Sequence, residues 1–317
     1  MSDDAPLVSV IITCCNGERW IAGAVDSALA QSYPRLEIIV IDDASSDGSP
    51  KILRRYETDP CVELVFNRHN RGIPATKNAG VARGSGRYVA FLEQDDVWFE
   101  DKLARQVALL EADTSLGMVF AEPLVAGPHG GVYRRRRRPA IPTSTDEVVK
   151  AFFLNNPVVS MSSVLVRRTV FTELGGFDES YAGGDDYELF LRLVGRCGVA
   201  HIDEPLLRYR WDHGTFSWEA MDRMLQDHLH AVDKTVALYP FLAPLRRRRT
   251  AQLWLSAAIR SYEKGATARA FGWAWQALCT DPSFARTIPT FALMATGDLG
   301  RWILHRRRWT SLFAKVP

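Results

Sequence analysis

The chain reads as an α/β protein, with a mixed, mostly parallel sheet flanked by helices and an α-helical C-terminal region behind it. Three observations predict this. Residues 8–12, 38–41, 62–66 and 88–92 are short, largely apolar runs, mostly rich in β-branched side chains, as buried strands are. Helical periodicity fills the gaps between them, and strand–helix alternation implies parallel pairing through right-handed crossovers. Two of the runs, IIVIDD and YVAFLEQDD, close on aspartate pairs.

The first strand ends in Thr13, Cys14, Cys15 and Asn16, and a helix follows over 18–30. There Trp20/Ile21, Ala24/Val25 and Ala28/Leu29 recur every four residues as one apolar face. The second strand ends at Asp42 and Asp43, the fourth just before Asp95 and Asp96, and shorter helices are expected over 49–56, 74–83 and 100–112. A third pair, Asp185 and Asp186, follows Gly183 and Gly184 and opens a helix whose Leu189 and Leu193 face inward. The last hundred residues read as helices, and GATARAFGWAWQALCTDP resembles one tetratricopeptide-type hairpin, a single unit rather than a solenoid. The expected division is 1–219 for the α/β domain and 220–317 for the helical region.

In open α/β sheets, ligands bind beyond the carboxyl ends of the strands, where the Thr13–Asn16, Asp42–Asp43 and Asp95–Asp96 clusters converge. A carboxylate there needs an amide, a cation or a ligand as partner. The alternative reading is that each acid caps the turn or helix that follows it.

At 317 residues, 47% hydrophobic and 24% charged, the chain has the composition of a soluble protein with one large domain or a domain plus an appendage. Its opening, MSDDAPLV, lacks the pattern of a signal peptide and the five cysteines have no metal-type spacing, so a cytoplasmic location is expected. No stretch has the roughly 18 uninterrupted apolar residues of a membrane span. Charge is uneven: residues 221–317 carry 15 Lys/Arg against 6 Asp/Glu, and residues 1–220 carry 24 against 31. Runs of arginine at 246–249 and 306–308 lie near Trp254, Trp302 and Trp309, the mixture expected of a helix resting on an anionic membrane surface. Solvated faces of an ordinary helical bundle are the alternative. The arginines at 134–138 sit between glycines and Pro139 without any nucleic-acid motif, so no nucleic-acid partner is expected.

Residues 8–103 resemble the nucleotide-binding half of inverting family-two glycosyltransferases with the GT-A (Rossmann-like) fold. The resemblance rests on VSVIITCCNGERWIAGAVDSALAQSYPRLEIIVIDDASSDGS and NRGIPATKNAGVARGSGRYVAFLEQDD, and it resumes in GGFDESYAGGDDYELFLRL. It implies a nucleotide-sugar site formed by Thr13, Asn16, Glu18, Asp43, Asn70, Lys77 and Asp95, with Asp43 accepting the imide hydrogen of uracil or thymine. A fixed carboxylate, which only accepts, suits that donor. It further implies Mg2+ or Mn2+ held by Asp96, the direct ligand, with Asp95 and His213, since these hard cations take oxygen ligands and bridge phosphates. Asp186 would be the general base, deprotonating the acceptor hydroxyl on the face opposite the leaving group. Asp185 is the more natural helix cap.

Two residues depart from the family pattern. Glu93 stands at the usual first aspartate of the metal signature, and Lys77 at a common arginine, where it would meet phosphate as a point charge. His213, in RYRWDHGTFSW, is similar in placement to a histidine some relatives use near the metal or diphosphate; a loop histidine bonded to backbone is the alternative. Tyr209-Arg210-Trp211 lacks the glutamine of the processive branch. The expectation is a metal-dependent transferase moving a sugar, with a UDP-sugar favoured as donor, to a saccharide or lipid-linked acceptor in surface polysaccharide or glycolipid assembly, with peripheral contact to an anionic membrane. A nucleotidyltransferase of related fold and an inactive nucleotide-sugar-binding scaffold are the competing readings.

Overall fold

A computed structural model describes residues 5–126, 131–135, 140–210, 218–284, 287–297, 300, 303 and 313–315. Four parallel strands come first: β1 (Val8–Cys14), β2 (Leu36–Asp42), β3 (Val62–Phe66) and β4 (Tyr88–Glu93), joined by helices α1 (Ile21–Leu29), α2 (Ser49–Leu53) and α3 (Ile73–Arg83). β1 lies between β2 and β4, so the ends of these three strands are neighbours. All four expected strands and their intervening helices are present.

The second half of the sheet runs mainly antiparallel. It comprises β5 (Val97–Trp98), β6 (Leu116–Ala126), β7 (Val132–Arg135), β8 (Val164–Arg167), β9 (Gly198–Arg210) and β10 (Phe313–Lys315). Helices α4 (Lys102–Ala112), α5 (Thr145–Asn155), α6 (Arg168–Glu173) and α7 (Asp185–Val194) separate them, and α8 (Trp218–Leu238), α9 (Arg246–Glu263), α10 (Thr267–Thr280) and α11 (Thr287–Met294) follow β9. The order across the sheet is β10-β7-β6-β8-β4-β1-β2-β3, with β9 pairing β6 and β5. β8 joins the halves, antiparallel to both β4 and β6.

Alternate residues of each central strand enter different cores, which is why these strands are apolar throughout. Ile38 and Val40 pack with Ile21, Val25, Leu53 and Leu103 on one side. Ile39 and Ile41 belong to the other, with Phe152, Phe171 and Phe190 and with Leu225, Val232 and Leu253 from α8 and α9. Helices α8 and α9 therefore share the core of the sheet, and the boundary expected at 219/220 falls in the first turn of α8. A smaller cluster around Tyr262, Ala270, Ala274 and Met294 ties on α10 and α11.

One expectation is corrected here. The hairpin read over 265–282 is one helix, α10, and its antiparallel partner is the preceding α9. The turn between them closes with Ala266 N–H donating to Ser261 O (2.9 Å) and Gly265 N–H to Tyr262 O (3.0 Å), the paired bonds of a Schellman cap. The arginine run at 246–249 is largely engaged within the protein: Arg246 pairs with Asp233 (2.7 Å), Arg247 donates to Thr280 O and Arg249 to Tyr187 Oη and Leu154 O. The run at 306–308, with Trp302 and Trp309, lies outside the described residues. Among the described residues no helix is long and apolar enough to cross a membrane.

A close backbone approach fixes the start of β4. A Cβ added at Gly86 would lie 2.5 Å from Ser9 N and 2.8 Å from Leu7 O, atoms of β1 and its lead-in that cannot move without breaking the central pairing. Gly86→Ala should destabilise the protein by about 1–3 kcal/mol in urea unfolding; unchanged stability would show that β1 and β4 tolerate separation.

Candidate functional site

The loops after β1 and β2 are stitched to each other by their own polar groups. Asn16, at φ 53, accepts from Ser46 N through Oδ1 (2.8 Å), and its own N–H donates to Ser45 Oγ. Glu18 N–H donates to Asp47 Oδ2 (3.0 Å), and Glu18 Oε2 accepts from Gly48 N (2.6 Å). Asn16 and Glu18, expected to line the nucleoside pocket, thus spend these groups on loop geometry. Thr13 lies half-buried at the end of β1, paired in register with Ile41 and Glu93.

Asp43 is buried, and its two oxygens already accept from Asn67 Nδ2 (2.8 Å), Arg71 N (2.9 and 3.1 Å) and Gly72 N (3.0 Å). It organises the 67–72 loop, on which Asn70 in turn donates to Asp43 O (3.2 Å) and Cys15 Sγ (3.3 Å). Its neighbour Asp42 differs. Oδ2 accepts from Ser45 N (3.0 Å), whereas Oδ1 is buried with no hydrogen-bond partner. Among the described residues, the acceptor at the end of β2 without a partner is therefore Asp42 Oδ1, while Asp43, expected to meet the base, is engaged by the 67–72 loop.

After β4, each residue of Glu93-Gln94-Asp95-Asp96 has a separate task. Gln94 pairs with the backbone of Cys15 in both directions, accepting from Cys15 N (2.9 Å) and donating to Cys15 O (3.3 Å). Asp96 is 1% exposed; Oδ2 accepts from Ser160 Oγ (2.9 Å) and Oδ1 from Arg210 N (3.1 Å). Burial, and then the neighbouring Asp95, push its carboxyl up to about 7. The half-buried Asp95 is the more accessible of the two acids. Arg210 reaches the same place from β9, its guanidinium 3.6 Å above the Trp20 ring and its buried Nε without an acceptor. His213 lies outside the described residues.

Lys77, expected to meet a phosphate, is here paired with acids. It is 4% exposed, with Nζ 2.7 Å from Glu93 Oε1 and 3.8 Å from Asp185 Oδ2. Burial works against its charge, but the acids of Glu93 and Asp185 prevail and raise its pKa. One cation thereby joins α3, the end of β4 and the start of α7. Asn78 continues the joint, donating to Phe177 O and accepting from Phe177 N, both at 2.9 Å.

The loop before α7 is held from the C-terminal side. Asp227 of α8 accepts from Ala182 N (2.8 Å) and Gly183 N (2.9 Å) through one oxygen. Gly184 sits at φ 79, where a Cβ would lie 2.7 Å from His228, and the His228 ring stacks on Tyr187 at 5.6 Å. Asp185 is buried and Asp186 half-buried at the head of α7. Burial raises both carboxyls, Asp185 to about 6, while Lys77 pulls them down. Nothing local in the sequence marks Asp227 as part of this arrangement, because it comes from a helix 40 residues further on.

The family model described as Glycosyl transferase family 2 matches residues 9–175, and that described as Glycosyltransferase like family 2 matches residues 139–240. The chain is 41% identical over 111 residues to TuaG of Bacillus subtilis, named as a teichuronic acid biosynthesis glycosyltransferase, a match covering 35% of this chain and 44% of that protein. It is 29% identical over 208 residues to the succinoglycan biosynthesis protein ExoO of Rhizobium meliloti, covering 62% and 59%. The matches span less than two thirds of the length of these relatives. Two solved structures share the fold: S. aureus TarS 1–349 in complex with UDP-GlcNAc, at TM-score 0.61 and 13% identity over 96% of this chain and 92% of that one, and the mannosyltransferase PcManGT from Pyrobaculum calidifontis with GDP-Man and Mn2+, at 0.59 and 23% over 96% and 84%.

Lys77→Met should cost about 3–5 kcal/mol in urea unfolding, and adding Glu93→Gln should recover part of that loss; strictly additive costs would show the two are uncoupled. Asp227→Ala should accelerate amide exchange across 182–184 by about tenfold or more, the equivalent of one charge-assisted bond. Asp227→Asn, which keeps an acceptor, should do so much less, and equal rates in all three proteins would mean the loop holds itself.

Proposed function

The chain belongs to glycosyl transferase family 2, and from that premise we propose that it moves a sugar, with inversion, from a nucleoside-diphosphate donor to a hydroxyl of a saccharide or lipid-linked acceptor. The observation that carries this reading is the placement of acid-bearing ends side by side: β2 and β4 flank β1, so Asp42 and Asp95 follow neighbouring strands, and Lys77 joins the end of β4 to the head of α7, where Asp186 stands. The nucleotide complexes of the structural neighbours support a nucleotide-sugar donor, and the names of TuaG and ExoO support a role in polysaccharide biosynthesis. Family membership also weighs against a nucleotidyltransferase.

In this reading the unpartnered Asp42 Oδ1 accepts the imide hydrogen of the base, a task that favours uracil and so a UDP-sugar. Arg210 turns its open N–H toward the diphosphate. Asp186 takes the proton of the acceptor hydroxyl as that oxygen attacks the anomeric carbon from the face opposite the diphosphate. The bond from the anomeric carbon to the diphosphate oxygen breaks with its electron pair, and the nucleoside diphosphate leaves. The all-oxygen donor set of Asp95 and Asp96 fits a hard divalent cation, Mg2+ or Mn2+, which when bound would neutralise charge on the departing diphosphate. Lys77 and Asp227 act by position, holding the α7 head in front of the strand ends.

Calorimetry with UDP, GDP and dTDP, in Mn2+ and then in EDTA, tests the donor site. UDP should bind in a metal-dependent manner, and Asp42→Asn should weaken it by about tenfold or more; no binding of any nucleotide would favour an inactive scaffold. Asp186→Asn should lower transfer by about 10²–10⁴-fold while sparing UDP binding. Because the Asp186 pKa is raised, transfer by the natural enzyme should fall as pH drops through that raised value and be fully present only above it. Full activity of the Asn variant would remove Asp186 as the base.

A further inference from the structure

We propose that the cleft between α8, α9 and α10 is a saccharide-binding site that receives sugar units of the acceptor away from the point of transfer. The cleft has a volume of about 290 Å³ and is lined by Asp222, Leu225 and Gln226 of α8, Trp254 of α9, and Arg269 and Trp273 of α10. It lies on the face of α8 opposite to Met224, Asp227 and His228, which hold the 182–184 loop. One helix thickness, about 10 Å, therefore separates the cleft from the base-bearing loop, a span that a sugar chain longer than one unit can bridge.

The lining selects the chemistry of the ligand. Arg269 and Asp222 form a parallel pair, Nη1 to Oδ1 and Nη2 to Oδ2, both at 3.3 Å. The guanidinium also lies over Trp218 at 5.1 Å and Trp273 at 5.4 Å, which fixes its plane. This pair uses two of the five guanidinium N–H groups and leaves lone pairs on the carboxylate, so donors and acceptors stand side by side in one fixed plane. An anion would meet Asp222, a cation would meet Arg269, and a purely apolar ligand would strand both. A hydroxyl can accept from the arginine and donate to the carboxylate at once, and Gln226 offers the same dual capacity. The half-buried Trp254 and Trp273 add flat apolar walls. Neither indole N–H has an acceptor among the described residues, so each is free to donate to a hydroxyl. A neutral ligand with many hydroxyls and an apolar face is a saccharide.

The role as an acceptor subsite rests on the transferase reading, but the binding itself is tested independently of it. The full chain would be applied to an array of bacterial oligosaccharides, the bound sugars titrated by tryptophan fluorescence, and UDP binding measured by calorimetry on the same preparations. The natural protein should retain one or more oligosaccharides. Asp222→Asn and Trp273→Ala should weaken that binding by about tenfold or more with UDP affinity unchanged. Gln226→Ala, at an exposed position that does not threaten folding, should weaken it in the same direction. Oligosaccharide binding unaltered in all three variants would overturn the site, as would UDP binding without retention of any oligosaccharide. Failure to bind either ligand would overturn the transferase reading as well.

Discussion

The buried ammonium of Lys77 is the contact on which the arrangement of the site depends. A lysine 4% exposed cannot keep its charge without partners, and here the partners are Glu93 at the end of β4 and Asp185 at the head of α7. Such a cluster contributes little net stability, since desolvating three charges offsets most of their attraction. Its effect is positional. With Lys77 in place, the head of α7 cannot drift from the end of β4, and Asp186 is carried along one residue beyond Asp185. The pairing also gives a common reason for the two departures from the family pattern. Glu93 reaches one methylene further than an aspartate would, and that extra reach meets an ammonium, which unlike a guanidinium has no fork to extend toward its partner.

The same loop is fixed from its other side by a region that looks like an appendage in the sequence. Asp227 and His228 hold residues 182–184, while Leu225 and Val232 of the same helix enter the core under the sheet. Helix α8 thus has two loaded faces and a third that opens on the tryptophan-walled cleft. The boundary expected at 219/220 runs through a helix that shares the core of the sheet and also holds the loop before α7.

The parallel half was legible because β1, β2 and β4 are buried on both faces and so appear as largely apolar runs, and β3, at the edge, keeps enough apolar residues to join them. The antiparallel half was not. β6 carries Pro123 and a buried Glu122, β9 contains Asp203, Glu204 and Pro205, and the register between these two strands shifts at that point. Their pairing depends on tertiary contacts rather than on periodicity. At the strand ends, the sequence marks the polar clusters but not how hydrogen bonds divide among their members. Asp42 and Asp43 look alike in a list, yet successive residues of a strand point to opposite faces. One therefore meets the 67–72 loop and the other keeps an open oxygen. For Asp95 and Asp96 the distinction came from Ser160 and Arg210, which approach from 64 and 114 residues away.

The arginines of the C-terminal region follow the same logic. A run of four reads as a charged patch, but Arg246 pairs with Asp233 at the surface, Arg247 closes on the end of α10, and the half-buried Arg249 reaches Tyr187 and Leu154. Three of the four guanidiniums thus brace helices against one another, and Arg248 makes no such bond among the described residues. Arginine suits the task because its planar fork can satisfy backbone carbonyls at helix ends while its stem packs on apolar neighbours. Bonds to neutral carbonyls and hydroxyls fix a guanidinium in place without cancelling its charge; among the described residues only Arg246 of the four has an acid as its partner, so the run braces the helices and keeps most of its positive charge.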